Sequence, residues 1–435
     1  MILPRERMAI LNSLAAGVVP AIGLHHIQVG RIEEVEALIR DLDQVAEGAA
    51  TCRFVIGQYG SGKTFFLSLI RTVALKRKFV VAQADITTEC RLHGTGGQAR
   101  ALYRQLTKSL ATQAKPDGGA LTNILERWIG DVDHDVRESG GTADDVRRRI
   151  VERLKPLQDL VNGYDFANVV ARYLDGFVAQ DDQLQQAAVR WIRGEFATKT
   201  EAREALGVRS IIDDETIYDY LKLLAAFVRM AGFSGLIVNV DELAVLSHGL
   251  NNATARKNNY EAILRILNDC VEGRATDIAF LFAGTNDCLE DRRRGLYEYE
   301  ALEQRLKPSR SEVDGHRNLY APVIRLASLT PEDYYVLLHN VREVFEAGDV
   351  TKGLFPDEAL RQYLEVSQRR MGAAYFQTPR DMVKDFVGEL QVLQQNPTIK
   401  LADRLNAKKA EPFVLVPDPN TAFISADDDM TTLKS

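Results

Sequence analysis

Eight consecutive residues near position 60 have the types and spacing that suit phosphate binding. Gly57-Gln58-Tyr59-Gly60-Ser61-Gly62-Lys63-Thr64 matches the pattern G-x-x-x-x-G-K-[ST] at each fixed position. Glycines let the backbone curl so that successive N–H groups point at phosphate oxygens. A helix that starts here adds further N–H donors. The pattern assigns the β- and γ-phosphates to Lys63 and a place in the Mg²⁺ shell to the Thr64 hydroxyl. We therefore predict a nucleoside triphosphate site at residues 57–65, which include Phe65.

A chance match on a surface turn is the alternative, and the flanking residues argue against it. An apolar strand precedes the motif, Phe54-Val55-Ile56, and a helix with an apolar stripe is predicted over residues 62–76. A phosphate-binding loop needs a strand before it and a helix after it, because the helix start supplies part of the binding site.

Two carboxylates follow a second apolar strand far along the chain. Leu236-Ile237-Val238-Asn239-Val240 leads directly into Asp241 and Glu242. Carboxylates just beyond a strand lie at the edge where open α/β sheets bind ligands. We predict that Asp241 holds Mg²⁺ together with Thr64, and that Glu242 orients and deprotonates the attacking water. A strand that merely enters a solvated loop is the alternative, and Asn239 has no explanation at this level.

Apolar runs alternating with helical patterns predict a parallel sheet in a multi-part chain. The predicted strands are 53–57, 79–85, 236–240, 278–283 and 323–326. The predicted divisions are an N-terminal helical segment (1–50), an α/β core (51–115 and 216–327), a helical insertion (116–215), a helical lid (328–396) and a poorly packed tail (397–435).

Length and composition limit the class of protein. The chain has 435 residues, more than the roughly 250–300 at which single cores stop growing. A net charge of −7 makes the whole molecule a poor electrostatic partner for nucleic acid. The four cysteines lie far apart, so neither disulfides nor a zinc site is indicated. Apolar runs fall short of the ~18 residues that span a bilayer, and the charged N-terminus is unlike a signal peptide. We expect a cytoplasmic protein with no membrane partner.

The order of these elements resembles AAA+ ATPases of the initiator and STAND branch. After the 278–283 strand comes Thr285-Asn286, similar to the sensor 1 position of that family. Asn286 is our choice, with Thr285 as the alternative. The resemblance implies an α/β AAA+ P-loop NTPase with a five-stranded parallel sheet, a large helical insertion and a C-terminal helical lid. It also implies ATP and Mg²⁺ as ligands.

Three further features of that family concern charged or polar side chains. Arg305 resembles a finger that reaches a neighbouring subunit's γ-phosphate, which implies a homo-oligomer; Arg310 and Arg292-Arg293-Arg294 compete for this role. Arg380 resembles sensor 2, in a helix whose start Thr378-Pro379 predicts. The polar switch residue after the second strand stays open among three candidates, which are Asp85, Thr87 and Thr88.

Over residues 15–395 the chain resembles more closely the BREX-associated P-loop ATP-binding family of phage-defence islands. The resembling segments are GVVPAIGLHHIQVGRIEEVE (17–36), FVIGQYGSGKTFFL (54–67), LIVNVDEL (236–243) and QTPRDMVKDF (377–386). The family implies an ATPase that acts with other defence-system proteins, with DNA as a further candidate partner. Two rival functions are a slowly hydrolysing, nucleotide-dependent assembly switch and an initiator-like or loader-like DNA-binding ATPase.

Overall fold

The computed structural model describes residues 2–309, 317–347, 353–373 and 378–410. The strands are β1 (Ala50–Ile56), β2 (Val80–Asp85), β3 (Leu236–Asp241), β4 (Ile278–Gly284) and β5 (Val323–Arg325). The helices are α1 (Pro4–Ala15), α2 (Ile32–Ala46), α3 (Lys63–Lys76), α4 (Gln98–Lys108), α5 (Leu121–Glu138), α6 (Ala143–Gln158), α7 (Gly163–Ala179), α8 (Asp182–Ile192), α9 (Lys199–Leu206), α10 (Ile217–Met230), α11 (Ala253–Val271), α12 (Asn286–Glu290), α13 (Glu300–Leu306), α14 (Pro331–Glu346), α15 (Asp357–Ala373), α16 (Pro379–Gln395) and α17 (Leu401–Ala410). Short 3-10 turns lie at Leu24–His26 and Leu296–Glu298, and a π turn at Val245–Gly249.

The chain divides into two compact units. Residues 30–328 form one, called here the sheet unit, and residues 1–29 with 329–435 form the other, called here the helical unit. All the described strands belong to the sheet unit.

The five strands form one parallel sheet in the order β2-β3-β4-β1-β5. The predicted five-stranded parallel sheet is confirmed. In β1, which lies between β4 and β5, Phe54 pairs with Phe282 of β4 on one side and Val323 of β5 on the other. Since β1 and β2 are separated by two strands, the helix between them crosses the sheet. Because the strands are parallel, the carboxyl ends of all five lie at the same edge of the sheet, beside the loops that follow Ile56 and Asp241.

Both faces of the sheet are covered, which explains why the strands are continuous apolar runs. On one face Phe54, Val80 and Val238 join the larger apolar core. On the other face Val55 and Ile237 pack in a second core under α2 and α3. Helix α3 follows the 57–64 segment directly, so its packing on the sheet fixes where that segment lies.

The outer edge of β2 is covered by a returning segment of chain. The Val81 N–H donates to the Ala111 carbonyl at 3.0 Å, and the Ala111 N–H donates to the Val81 carbonyl at 2.8 Å. The Gln83 N–H donates to Ser109 Oγ at 2.7 Å. At the opposite edge of the sheet, β5 has only three residues.

Seven helices of the described chain, α4 to α10, separate β2 from β3. The predicted insertion at 116–215 covers α5 to α9, although its limits stay a prediction. Trp128 and Trp191 are each 1% exposed. They pack edge-on against Phe227 and Tyr220. None of the helices in the described residues combines the length and apolar character needed to cross a membrane.

The helical unit contains α1 and α14 to α17. Residues 328–396, for which the sequence predicts a helical lid, contain α14, α15 and α16. Residues 401–410 differ from expectation, because they form a helix where we predicted a poorly packed tail. Its Arg404 donates to both oxygens of Glu389 at 3.0 and 2.8 Å, and Leu405 is buried. Tail residues 411–435 lie outside the described residues.

Candidate nucleotide site

Residues Gly57–Thr64, called here the 57–64 loop, connect β1 to α3 at the carboxyl edge of the sheet. Gly62 has a left-handed φ of 85°, a conformation that residues with a side chain rarely adopt. Gly57 is required for space, because an added Cβ would lie 2.5 Å from Ser61 Oγ and 3.1 Å from the Leu326 carbonyl oxygen. The Gly57 N–H donates to the Gly284 carbonyl at 3.2 Å, which joins the loop to the end of β4.

Several groups of the loop remain available to a ligand. Ser61 Oγ is buried and has no hydrogen-bond partner in the described part of the chain. Helix α3 starts at Lys63 with no side-chain cap from Gly62, so N–H groups of its first turn are open to an anion. Gln58 and Tyr59 are exposed on the loop, whereas Phe65 lies half-buried in the first turn of α3. This donor set fits the phosphates of a nucleotide.

Lys63 projects into the same region. Its Nζ donates to the carbonyl oxygens of Gly57 at 3.1 Å and Gln58 at 2.9 Å. Burial lowers the pKa of Lys63, and the nearby charges of Asp241 and Glu242 act in the opposite direction. The ammonium group is therefore bonded to the loop and close enough to Asp241 and Glu242 to interact with their charges.

The loop and the end of β3 are joined by one side-chain hydrogen bond. Thr64 Oγ1 donates to Asp241 Oδ2 at 2.8 Å, between residues separated by 177 positions in sequence. Asp241 is only 4% exposed, and its Oδ1 accepts the Glu242 N–H at 2.8 Å. A hydroxyl and a carboxylate suit Mg²⁺, which commonly uses one or two carboxylates together with waters and substrate phosphates. The described residues contain no cluster of three or more His, Cys, Asp or Glu that could hold a metal alone.

Glu242 has an unusual backbone. Its φ is 62°, in the left-handed region that non-glycine residues rarely occupy. The residue is exposed directly after the buried Asp241. Strained conformations of this kind persist where the surrounding structure imposes them, and they cluster at functional sites.

Asp85 ends the neighbouring strand β2 and stands in register with Asp241. Burial raises the pKa of Asp85, and the charge of Asp241 raises it further. Thr87 Oγ1 instead accepts the N–H groups of Glu89 and Cys90. Of the three residues left open by the sequence, Asp85 is therefore the one placed beside Asp241, whereas Thr87 closes its own turn.

Asn286 begins α12, immediately after the end of β4. Thr285 caps this helix, since its Oγ1 accepts the Cys288 N–H at 3.2 Å. The Thr285 oxygen is thus engaged, whereas the half-buried Asn286 amide makes no hydrogen bond within the described residues. Burial raises the pKa of Cys288 to about 12, and the charge of Lys63 lowers it, which indicates that this turn is near Lys63.

Within the described residues of the sheet unit, the candidate finger arginines form hydrogen bonds with segments other than the 57–64 loop. Arg305 is exposed on α13, and its Nη1 donates to the Ala301 carbonyl of its own helix at 3.0 Å. Among its competitors, Arg292 pairs with Glu303 at 2.9 Å, Arg294 donates to the Leu250 carbonyl, and Arg310 lies outside the described residues.

Arg380 belongs to the helical unit, where it is exposed in the first turn of α16. The predicted start of this helix is confirmed, with Thr378 as the cap and Pro379 in the first position. The aliphatic part of Arg380 passes close to Gly17, where an added Cβ would lie 3.7 Å from its Cγ.

One contact of the loop was not predicted. The Arg31 Nη2 donates to the carbonyl oxygens of Ser61 at 2.7 Å and Ala327 at 3.0 Å. The sequence around Arg31 does not predict these hydrogen bonds, because Ser61 and Ala327 lie 30 and 296 residues away along the chain.

A parallel sheet with a glycine-rich loop, a lysine and a buried carboxylate at its carboxyl edge is consistent with a P-loop ATPase. The family model of the BREX system ATP-binding protein BrxC/D matches residues 2–409. The chain therefore belongs to the BrxC/D family of BREX system ATP-binding proteins. Membership supports an ATP-binding role in phage defence. A search of curated proteins found no match.

Proposed function

We propose that the chain is an AAA+-type ATPase that binds Mg-ATP at the 57–64 loop and hydrolyses it. The observation that supports this most strongly is the 2.8 Å hydrogen bond between Thr64 Oγ1 and Asp241 Oδ2. It places the loop's hydroxyl and the strand's carboxylate together, as shared ligation of one metal ion requires. Mg²⁺ bound there supplies positive charge that stabilises the phosphate oxygens during hydrolysis.

The protein's own residues would act in sequence. The N–H groups of the loop and the Lys63 ammonium bind the β- and γ-phosphates. Glu242 accepts a proton from a water molecule whose oxygen attacks the γ-phosphorus. The bond from that phosphorus to the bridging oxygen breaks, and ADP and inorganic phosphate leave. Asn286 would orient the γ-phosphate or the water from the end of β4.

The decisive experiment compares Glu242→Gln with Glu261→Gln, because Glu261 is exposed on α11 and has no role in the site. We expect Glu242→Gln to bind ATP normally and to lose at least ~100-fold in turnover, the usual size of a general-base effect. Glu261→Gln should retain both wild-type ATP binding and wild-type turnover. Equal turnover by wild type and Glu242→Gln would refute the assigned role.

Arg305 supports a shared site between copies of the chain. Its guanidinium is exposed and makes no ion pair in the described part of the protein. We propose that it reaches the γ-phosphate of a neighbouring subunit, so that the active form is a homo-oligomer. Mixing Arg305→Ala with Glu242→Gln protein should restore hydrolysis, because hybrid sites would combine an intact Arg305 with an intact Glu242. Absence of activity at every mixing ratio would count against the shared site.

We propose that residues 328–396 act as a helical lid, that Arg380 acts as sensor 2, and that residues 116–215 form the insertion. Loss of turnover in Arg380→Ala with retained binding would support this role. The tail 397–435 keeps no assigned function.

Family membership supports other defence-system proteins as partners. DNA is the further candidate partner, and binding that weakens steeply with salt would support it. A nucleotide-dependent switch would bind ATP tightly, change its particle mass and turn over slowly with or without DNA. Turnover that DNA stimulates would favour a remodelling ATPase instead.

A further inference from the structure

Arg31 makes an unusual connection within the sheet unit. Its guanidinium bridges two main-chain carbonyls, at Ser61 in the 57–64 loop and at Ala327 just after β5. A planar guanidinium can serve two acceptors in fixed directions, whereas a lysine ammonium is a single point charge on a flexible stem. The contact therefore fixes the loop relative to the end of a strand.

The bond to Ser61 has a consequence for the next residue. The described peptide bonds include none in the cis form, and in a trans peptide the C=O and the following N–H point in opposite directions. With the Ser61 carbonyl bound to Arg31, the Gly62 N–H must point away from Arg31. That N–H donates to no backbone carbonyl in the described chain.

Gly62 is the place where such control matters most. Its φ is 85°, and an added Cβ there would meet no atom within 4 Å. Glycine has more conformational freedom than other residues, so a hydrogen bond that fixes the adjoining peptide has a large effect on its orientation. The Arg31 hydrogen bond fixes the Ser61–Gly62 peptide from outside the loop.

The backbone of Arg31 indicates that its side chain is needed. Its φ is 61°, and Gly30 before it has the same value. Glycine or asparagine would adopt this conformation more easily than arginine. Strain of this kind persists only where other interactions impose it. The two carbonyl bonds are such interactions.

We propose that Arg31 is a positioning residue for the nucleotide phosphates, which orients the Gly62 N–H by holding the Ser61 carbonyl. This inference rests on the proposed function, because it assumes that phosphate binds inside the loop. It assigns Arg31 to the loop backbone rather than to direct contact with the base.

Three variants and one control test the proposal. Arg31→Met removes the guanidinium but keeps the length of the stem. Arg31→Gly also removes the guanidinium, and glycine adopts the left-handed backbone conformation without strain. This variant therefore remains informative if Arg31→Met folds poorly. Arg31→Lys keeps the charge. Arg317→Met is the control, because Arg317 pairs with Glu33 and Glu34 in the first turn of α2 and does not touch the loop.

ATP and ADP dissociation constants should rise roughly tenfold in Arg31→Met and Arg31→Gly, which is the equivalent of one lost hydrogen bond. The dissociation constants of Arg31→Lys should lie between those of these two variants and those of wild type, and the dissociation constants of Arg317→Met should equal those of wild type. Amide hydrogen exchange at residues 57–63 should quicken in nucleotide-free Arg31→Gly but not in Arg317→Met. A merely structural role for Arg31 would not single out these amides.

The outcomes separate the two proposals. Wild-type protein that binds no nucleotide would overturn the proposed function itself. Wild-type protein that binds ATP, with Arg31→Gly binding it equally well and exchanging at the same rate, would overturn only the role of Arg31.

Discussion

Helix starts in two regions of the molecule can be compared by how their N–H donors are used. In the region between β2 and β3, Asp181 and Thr198 cap α8 and α9 with their side chains and Thr142 forms a capping box at α6, whereas α4, α5, α7 and α10 start without a side-chain cap. Around the 57–64 loop, α2 and α3 start at Arg31 and Gly62 with no side-chain cap. Open N–H donors at a helix start are satisfied by water or by a ligand. The comparison teaches that a missing cap does not by itself indicate a binding site; α3 differs because its open donors adjoin the glycine-rich 57–64 loop and the buried, unpartnered Ser61 Oγ.

Removing a large core side chain from the insertion side should give the largest effect. Trp128 of α5 is buried and packs 5.4 Å from the Phe227 ring. We expect Trp128→Ala to reduce the free energy of unfolding by about 3–5 kcal/mol, since it leaves a cavity. Denaturant unfolding measures this, and the folded protein should retain wild-type ATP affinity. A loss below ~1 kcal/mol would contradict the packing described here.

Lys63→Ala should show the opposite pattern, with a loss of binding and no loss of stability. Removing a charged donor to phosphate should weaken ATP binding roughly 10- to 100-fold. Lys76→Ala is the matched control, because Lys76 is exposed at the other end of the same helix. Titration calorimetry compares the two. Equal ATP affinities of Lys63→Ala and Lys76→Ala would contradict the assignment of ATP binding to the 57–64 loop.

Asn239 offers a test in which stability should rise. It is fully buried in β3, and neither its Oδ1 nor its Nδ2 has a partner in the described chain. Unpaired buried amide groups are destabilising, so Asn239→Leu should raise the free energy of unfolding by about 1–3 kcal/mol. Asn239→Asp should do the reverse, because it buries a charge. Thermal unfolding would reveal either result, and a destabilised Asn239→Leu would show that the amide is satisfied in solution.

A single helix cap gives the smallest expected effect. Thr198 accepts the Glu201 N–H at 3.2 Å at the start of α9. Thr198→Ala should lower the free energy of unfolding by about 1 kcal/mol. Thr200 is exposed two residues later, and Thr200→Ala should change the free energy of unfolding by less than ~0.5 kcal/mol. If both variants unfold alike, the cap makes no measurable contribution.

The parts of the fold that depend on local pattern could be predicted from sequence. Each strand is an apolar run, so all five and their parallel arrangement were found. The phosphate motif is eight consecutive residues, and its flanks identified it. Asp241 could also be predicted as a candidate site residue, because it ends a buried strand. Its 2.8 Å bond to Thr64 follows from the sheet, since both β1 and β3 end at the same edge.

What the sequence could not predict depends on partners far apart in the chain. The contact of Arg31 with Ala327 requires the finished fold. Helix α17 was missed because its stability comes from Arg404 meeting Glu389 rather than from a strong apolar stripe. The left-handed backbone of Glu242 could not be predicted, because glutamate is not a residue type that favours this conformation.

The covered edge of β2 limits how copies of this chain can join. Unpaired strand edges are the usual route by which sheets of different molecules merge into one another. Here Val81 and Gln83 already bond to the returning segment at 109–111, and the three-residue β5 is too short to template a long neighbour. The sheet of the described residues therefore presents no long free edge, and we expect copies that assemble to meet through side-chain surfaces rather than by extending this sheet.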